Sequence, residues 1–293
     1  MIINYLKPFF AAIICLLFCS NTVQAQVDDN NVSKAETSAV VQYINTLKQH
    51  QDAIQAEMYN VNSLQFQQQL PEAERKKLQT QYLANLDKQI EQAKKIPVPA
   101  DCAAVHKMVL DYWQQSRTLL GKIATKEYLK KAEAELQCKG CLAAVERAYQ
   151  QQVAESPNDR KFVENYDKEI ERLSEKYQFK TFTSQAARDA AWELEEAQSY
   201  IVSLMLIVGH LTESYNEVVV ILNKIREKKA TTAELHTAIE AMQRDCRQAQ
   251  LSLSKMEKRE LACWEAADVA VKELTKIAFD YMPRAEKILL KPT

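Results

Sequence analysis

The sequence predicts an all-α fold, an elongated helical bundle that ends in a long antiparallel hairpin of the coiled-coil type. The most direct indication is glycine, because the 293-residue chain contains only 3 of them, where average usage of about 7% would supply roughly twenty. Folds rich in turns need residues that tolerate positive φ. Proline is also sparse, at 7 residues, which leaves long stretches without a helix breaker. Long helices joined by few loops satisfy both conditions.

The first segment, residues 1–25, has the pattern of a secretory signal peptide. Lys7 is its only charged residue, an apolar run covers residues 9–18, and Val23 and Ala25 place small residues at the −3 and −1 positions of a cleavage site. We expect cleavage after Ala25 and export to the periplasm or the cell exterior. An uncleaved anchor and a lipidated cysteine are the alternatives. Residues 26–32 are expected to form a disordered lead.

Helical patterns fill the N-terminal region, residues 33–178. Ser33 and Glu36 form a capping box, which predicts a first helix over about 33–68. Pro71 suits the first position of a second helix, and Pro97 is expected to end it.

A third helix is expected from Asp101, with a kink or break between Gly121 and Thr125. The helical pattern then resumes as far as Leu136. Ser156 followed by proline predicts the start of one more helix, which runs to about residue 177.

The last region, residues 183–291, predicts the hairpin. Its apolar residues are spaced alternately by three and four, the 3.5-residue period of left-handed coiled coils. The first series is Ala190, Leu194, Ala197, Ile201, Leu204, Val208, Leu211, Tyr215, Val218, Leu222 and Ile225. The second is Leu235, Ile239, Met242, Cys246, Ala249, Leu253, Met256, Cys263, Ala267, Ala270, Leu274, Ile277 and Tyr281, with one charged break at Glu260. A second capping box, Thr231 to Glu234, separates the two series. We expect the hairpin to pack with the N-terminal helices as one elongated domain.

Five cysteines remain after the expected cleavage, and all five are disulfide candidates in an oxidising compartment. Cys246 and Cys263 fall on the predicted seam, where they are interpreted as core residues. On one helix they would lie about 25 Å apart, so they cannot bond to each other. Cys138 and Cys141 form a Cys-Lys-Gly-Cys motif in which Leu142 replaces the histidine of a haem attachment site. A structural disulfide involving at least one of these two is favoured over a thioredoxin-type pair, because no strands are predicted.

A zinc site is the alternative use of the same cysteines. Cys102 and His106 are four residues apart and would share a helix face. With Cys138 and Cys141 they would form a Cys₃His set. Such a site requires the chain to reverse near residues 121–125.

Other chemistry is weakly indicated. His210 and Glu213 have the spacing of a metal-binding pair, but a buried, hydrogen-bonded histidine is the favoured interpretation. No catalytic constellation, phosphate loop, cofactor site or small-molecule site is found. The charges balance, at 38 Lys+Arg against 39 Asp+Glu, which argues against a nucleic-acid binder.

Residues 201–211 are apolar nearly all round. The favoured interpretation is the centre of the bundle, and the alternative is a segment that enters a membrane when the bundle rearranges. The sequence therefore predicts an exported, non-enzymatic helical protein with an interaction or structural role, through a protein partner or self-association. The alternatives are a membrane-active, pore-forming-like bundle and a metal- or redox-linked binding protein using Cys102, His106, Cys138 and Cys141.

Overall fold

The computed structural model describes residues 24–25, 34–64, 70–180 and 185–289, and within these ranges the fold is all-α, as predicted. The helices are α1 (Lys34–Ser63), α2 (Glu72–Ala93), α3 (Ala103–Ala124), α4 (Glu127–Leu136), α5 (Leu142–Glu155), α6 (Asp159–Tyr177), α7 (Gln185–Arg226), α8 (Thr232–Lys255), α9 (Leu261–Lys276) and α10 (Met282–Leu289). A 3₁₀ turn covers Ala100–Cys102, and a π-helical turn, Ile277–Tyr281, joins α9 to α10. Two short strands, β1 (Gln24–Ala25) and β2 (Phe179–Lys180), pair antiparallel.

Several predictions about the N-terminus concern residues outside the described ranges. They are the signal peptide apart from residues 24–25, the lead at 26–32, the Ser33 cap and the end of the first helix at 65–68. Within the described part, α1 begins at Lys34, directly after the predicted cap.

Helix boundaries differ from the predicted ones by one or two residues at several places, the usual scatter at helix ends. Pro71 is the residue before α2 and not its first residue. Asp101 lies in the 3₁₀ turn, where its carboxylate accepts hydrogen bonds from Lys176 and Tyr177 and does not cap α3. α6 is capped by Asn158, whose side chain accepts from the Lys161 amide at 2.8 Å, and not by Ser156.

The predicted break after Gly121 is present. α3 ends at Ala124, and Lys126 takes a positive φ of 56° before α4 begins at Glu127. The 102–137 stretch is therefore two helices.

The second arm of the predicted hairpin is not continuous. α8 ends at Lys255, Met256 has an extended backbone, and α9 begins only at Leu261. The intervening residues 257–260 are all charged, and an apolar seam cannot continue through them. Tertiary contacts hold this connection instead. The Tyr200 hydroxyl donates to the Glu257 carbonyl at 2.6 Å, and the Lys258 ammonium lies 4.2 Å from the centre of the Trp264 ring.

The chain divides into two compact units. Of the described residues, the first unit contains 128–151 and 196–289, and the second unit contains 24–25, 34–64, 70–127, 152–180 and 185–195. Residues 128–151, which the sequence analysis grouped with the N-terminal helices, thus belong with the C-terminal part of the chain. Each unit has its own apolar core, centred on residues such as Leu86 and Leu173 in the second unit and Leu211 and Met242 in the first.

Candidate functional site

A buried polar cluster lies in the core of the first unit. His210 and Ser214, four residues apart on α7, share one face of the helix. Both contact Asp245 of α8. The His210 Nε2 atom lies 3.0 Å from the Asp245 Oδ2 atom, and the Ser214 hydroxyl donates to the same oxygen at 2.9 Å. His210 is 6% exposed and Asp245 4% exposed, so these groups depend on one another for hydrogen bonds.

The second oxygen of Asp245 holds the start of a third helix. Its Oδ1 atom accepts from the backbone amide of Leu142, the first residue of α5, at 3.1 Å. A carboxylate at this place satisfies an amide that has no partner within its own helix and interacts favourably with the helix dipole. Burial by itself would raise the pKa of Asp245, but the hydrogen bonds from His210, Leu142 and Ser214 outweigh burial and hold it below its ordinary value.

The cluster has the residue types of a hydrolase triad without the geometry of one. The Ser214 hydroxyl donates to the carboxylate and not to the histidine, so His210 is not placed to take its proton as the base of a triad does. Within the described part of the chain, the His210 Nδ1 atom is buried without a hydrogen-bond partner. The arrangement therefore joins α5, α7 and α8. It also agrees with the favoured interpretation of His210 as a buried, hydrogen-bonded residue.

Asp245 was missed by the sequence analysis. It lies three residues after Met242 and four before Ala249, so it shares the helix face of the apolar seam. An acid at such a position indicates a buried partner, but its partners His210 and Leu142 lie 35 and 103 residues away in sequence. Their pairing is therefore not readable from local spacing.

The Cys138–Cys141 pair forms a disulfide, with the two Cα atoms 6.0 Å apart. Its loop connects α4 to α5. Gln137 and Gly140 take positive φ values of 52° and 63° there, and at Gly140 the missing side chain makes this conformation accessible without strain. Glu133 holds the loop from α4. Its carbonyl accepts from the Cys138 amide at 3.2 Å and its carboxylate from the Gly140 amide at 2.8 Å.

The other three candidate cysteines are free in the structure. Cys246 is fully buried, as its core interpretation predicts, and Cys102 is buried as well. Cys263 is exposed, so its predicted place on a buried seam is wrong. The reason is the break after Lys255, because the apolar period of α8 does not carry over into α9.

The structure gives the zinc alternative little support. Cys138 and Cys141 are bonded to each other and supply no thiolates in this state. The His106 Nδ1 atom lies 3.1 Å from the Tyr43 hydroxyl, and burial raises the pKa of the Cys102 thiol to about 11. Among the described residues, no three histidine, cysteine or acidic side chains come together as a metal-binding group.

Replacing both Cys138 and Cys141 by serine is expected to destabilise the chain by about 2 kcal/mol. The estimate is at the low end for disulfides because the closed loop is short. Urea unfolding without reductant measures it. Cys263→Ser, which removes an exposed free thiol, is the control and is expected to change stability by less than about 0.5 kcal/mol. An unchanged midpoint for the double variant would contradict a stabilising disulfide.

A second ionisable pair lies in the second unit. The Tyr112 hydroxyl donates to the Asp159 Oδ1 atom at 2.8 Å. Burial raises the pKa of Asp159 from its ordinary 3.8 to about 6, although the hydrogen bond from Tyr112 acts in the opposite direction. Because the folded chain holds this proton more tightly than the unfolded chain does, the contribution to stability is fully present below about pH 4. It is lost as the pH rises through about 6.

Asp159→Asn should therefore make the chain less sensitive to pH. Asparagine keeps an acceptor for Tyr112 but cannot ionise. Relative to this variant, the wild-type chain is expected to lose about 2 kcal/mol of stability between pH 4 and pH 7.5. Urea unfolding of both chains at the two pH values measures the change. A stability difference that is the same at both would show that Asp159 titrates normally.

The apolar segment 201–211 lies in the core of the first unit. Leu204, Ile207 and Leu211 are 3%, 3% and 0% exposed, in agreement with the favoured interpretation of this segment. Among the residues that the structure describes, one helical span, Arg188–Arg226, is long and apolar enough to cross a membrane by length and composition. The buried core helix of a soluble protein meets the same criterion.

The chain was compared with known families, curated proteins and solved structures. No family model matches the chain, and no curated protein or solved structure matches it.

Proposed function

We propose that this is an exported, non-enzymatic helical protein that acts by binding a protein partner or a second copy of itself. The observation that carries the proposal is a set of exposed apolar side chains near the C-terminus. Val269, Tyr281 and Ile288 are 59%, 50% and 70% exposed. Single exposed apolar residues are ordinary on a protein surface, but these three recur along one short stretch of α9, the π turn and α10.

The inner side of the same stretch explains why these residues face outward. Ala267, Val271, Ala278 and Met282 are buried against the core of the first unit. A π turn bonds residues five apart, so residues i and i+5 lie on the same side of the helix. Lys276 and Tyr281 have this spacing, and the Lys276 ammonium lies 5.9 Å from the centre of the Tyr281 ring. The packing of the buried residues fixes the position of the exposed Val269, Tyr281 and Ile288, as a preorganised binding surface requires.

We further propose that α7 and α8 pair as an antiparallel hairpin with coiled-coil spacing. Support comes from burial along the second predicted series. Leu235, Ile239, Met242, Cys246, Ala249 and Leu253 are all buried. The capping box at Thr231 begins α8 only a few residues after α7 ends, and the contact of His210 with Asp245 joins the two helices near their middles.

The partner proposal is tested with a triple variant, Val269→Glu, Tyr281→Glu and Ile288→Glu, in the full chain. Sedimentation tests for self-association, and cross-linking in the producing cells tests for a partner. The triple variant is expected to lose the complex. A matched control, Val153→Glu with Val220→Glu, places charge at residues that are 47% and 48% exposed, and it should keep the complex. A monomeric wild-type chain without cross-linked partners would refute the proposal.

Export is proposed on the N-terminal sequence pattern, and the Cys138–Cys141 disulfide is compatible with an oxidising compartment. The intact mass of the protein recovered from outside the cytoplasm tests it. A mature chain beginning at Gln26 is expected. Cleavage there would also remove β1, so the processed chain would lack the pairing with β2. A full-length mass would contradict cleavage.

A membrane-active bundle is the second candidate, favoured by the length and apolar character of Arg188–Arg226. It would require residues 201–211 to leave the core. Dye release from phosphatidylcholine–phosphatidylglycerol vesicles at pH 7.5 and pH 5 tests it, with heat-denatured chain as the control for non-specific damage. Release by the folded chain alone would support this function, and no release at either pH would exclude it.

A further inference from the structure

The two cysteines of the Cys138–Cys141 disulfide are unequally exposed. Cys138 is partly exposed, and the two residues between the cysteines, Lys139 and Gly140, are exposed. Cys141 is only 3% exposed. A thiolate that attacks a disulfide must approach the sulfur it attacks, so accessibility decides which sulfur reacts. Of the two cysteines, Cys138 is therefore the more open to a nucleophile from solvent.

Cys141 is placed as the leaving group. It is the residue before α5, and its carbonyl accepts from the amides of Ala144 and Val145 at 3.0 and 3.1 Å. A thiolate at the N-terminus of a 14-residue helix is stabilised by the helix dipole, and a neighbouring lysine, here Lys139, acts in the same direction. The Asp245 carboxylate opposes both effects, because its negative charge lies at the Leu142 amide, next to Cys141. The hydrogen bonds that it accepts from His210 and Ser214 weaken this opposition.

The loop is held independently of the disulfide bond. Glu133 accepts both hydrogen bonds, from the backbone amides of Cys138 and Gly140, and neither donor changes when the sulfurs are reduced. The two thiols of the reduced chain therefore remain neighbours, and the ring can close again without a search through loop conformations.

We propose that the Cys138–Cys141 disulfide is an exchange site that reacts with a dithiol, such as a pair of neighbouring cysteines in another exported protein. The partner thiolate attacks the Cys138 sulfur, a mixed disulfide forms, and Cys141 leaves as a thiolate that takes up a proton. The second partner thiol then attacks the mixed disulfide and Cys138 leaves, taking up the other proton. The partner is oxidised to its disulfide and this chain gains two electrons and two protons. The inference does not depend on the partner surface at residues 269–288.

Single-cysteine variants test the asymmetry. The folded full chain is incubated with oxidised glutathione as the probe, and mixed disulfides are located by peptide mass spectrometry. Cys141→Ser is expected to form the adduct at Cys138 at least about tenfold faster than Cys138→Ser forms it at Cys141. Exposed Cys263 is the internal reference for an ordinary accessible thiol. Equal rates at both positions, or a faster reaction at Cys141, would overturn the proposal.

The wild-type disulfide tests the exchange itself. Dithiothreitol is expected to reduce it while circular dichroism shows the chain still folded. Lys139→Gln should slow this reaction roughly threefold through the lost charge, whereas Lys131→Gln, an exposed lysine on α4, should leave the rate unchanged. A disulfide that is reduced only once the chain unfolds would show that it is purely structural.

Discussion

Asp245→Ala is expected to destabilise the first unit by about 3–5 kcal/mol. The substitution removes the shared acceptor of three donors, the His210 ring, the Ser214 hydroxyl and the Leu142 amide. Each donor left unsatisfied in the interior costs about 1–3 kcal/mol, and the costs are only partly additive because all three donors meet at one carboxylate. Urea unfolding at pH 7 measures the loss.

Two further variants make this result specific. Asp268→Ala breaks a surface pair with Lys272, whose atoms lie 2.6 Å apart, and should cost less than about 0.5 kcal/mol. Asp245→Asn keeps an oxygen for the Leu142 amide, so its loss of stability should lie between those of Asp245→Ala and Asp268→Ala. Because the pKa of Asp245 is lowered in the folded chain, its stabilisation is present above its unfolded pKa and is lost as the pH falls through its folded value. The penalty of Asp245→Ala should therefore shrink in acid. Equal losses for Asp245→Ala and Asp268→Ala would contradict the buried cluster.

Leu211→Ala is expected to cost about 2–5 kcal/mol of stability. Leu211 is 0% exposed in the core of the first unit, and truncating a buried leucine loses both the transfer free energy and the contacts around the cavity. The measurement also bears on function, because it reports whether residues 201–211 are core in solution.

Leu251→Ala is the matched control for that prediction. It is the same substitution in the same unit, but Leu251 is 47% exposed. We expect a loss of less than about 1 kcal/mol. If Leu211→Ala were as mild as the control, residues 201–211 would not be a packed core segment, and the membrane-active candidate would gain support.

Local sequence signals predicted much of the fold. At Thr231 and Glu234 both hydrogen bonds of the capping box form, because every group involved lies within four residues. The apolar series from Leu235 to Leu253 also marks the buried face of α8. Beyond Lys255 the same spacing wrongly predicted a buried Cys263. Spacing along a sequence identifies one helix face only while the helix is continuous, and α8 ends at Lys255. The charged residues 257–260 were the signal that the helix does not continue.

The candidate site was much less predictable. A structural disulfide involving at least one of Cys138 and Cys141 was predicted from the motif and the expected oxidising compartment. Cysteine spacing alone could not show that Cys138 is partly exposed and Cys141 buried. His210 was recognised as buried and hydrogen-bonded, but its partner Asp245 was not found, because the two residues lie on different helices, 35 positions apart in sequence.

The bond between the Leu142 amide and Asp245 has a consequence for the order of folding during synthesis. It joins residues 103 positions apart, and every residue of the second unit after Gln151 lies within that interval. All residues of the second unit have therefore been synthesised once residue 195 has emerged. At that point α4 and α5 still lack the parts of α7 and α8 against which they pack. Leu142, which is fully buried in the finished chain, stays exposed until α7 and α8 have been synthesised. Such transiently exposed apolar surface is where nascent chains aggregate or bind chaperones. A truncated chain that stops before α8 should accordingly be the form of this protein most prone to aggregate.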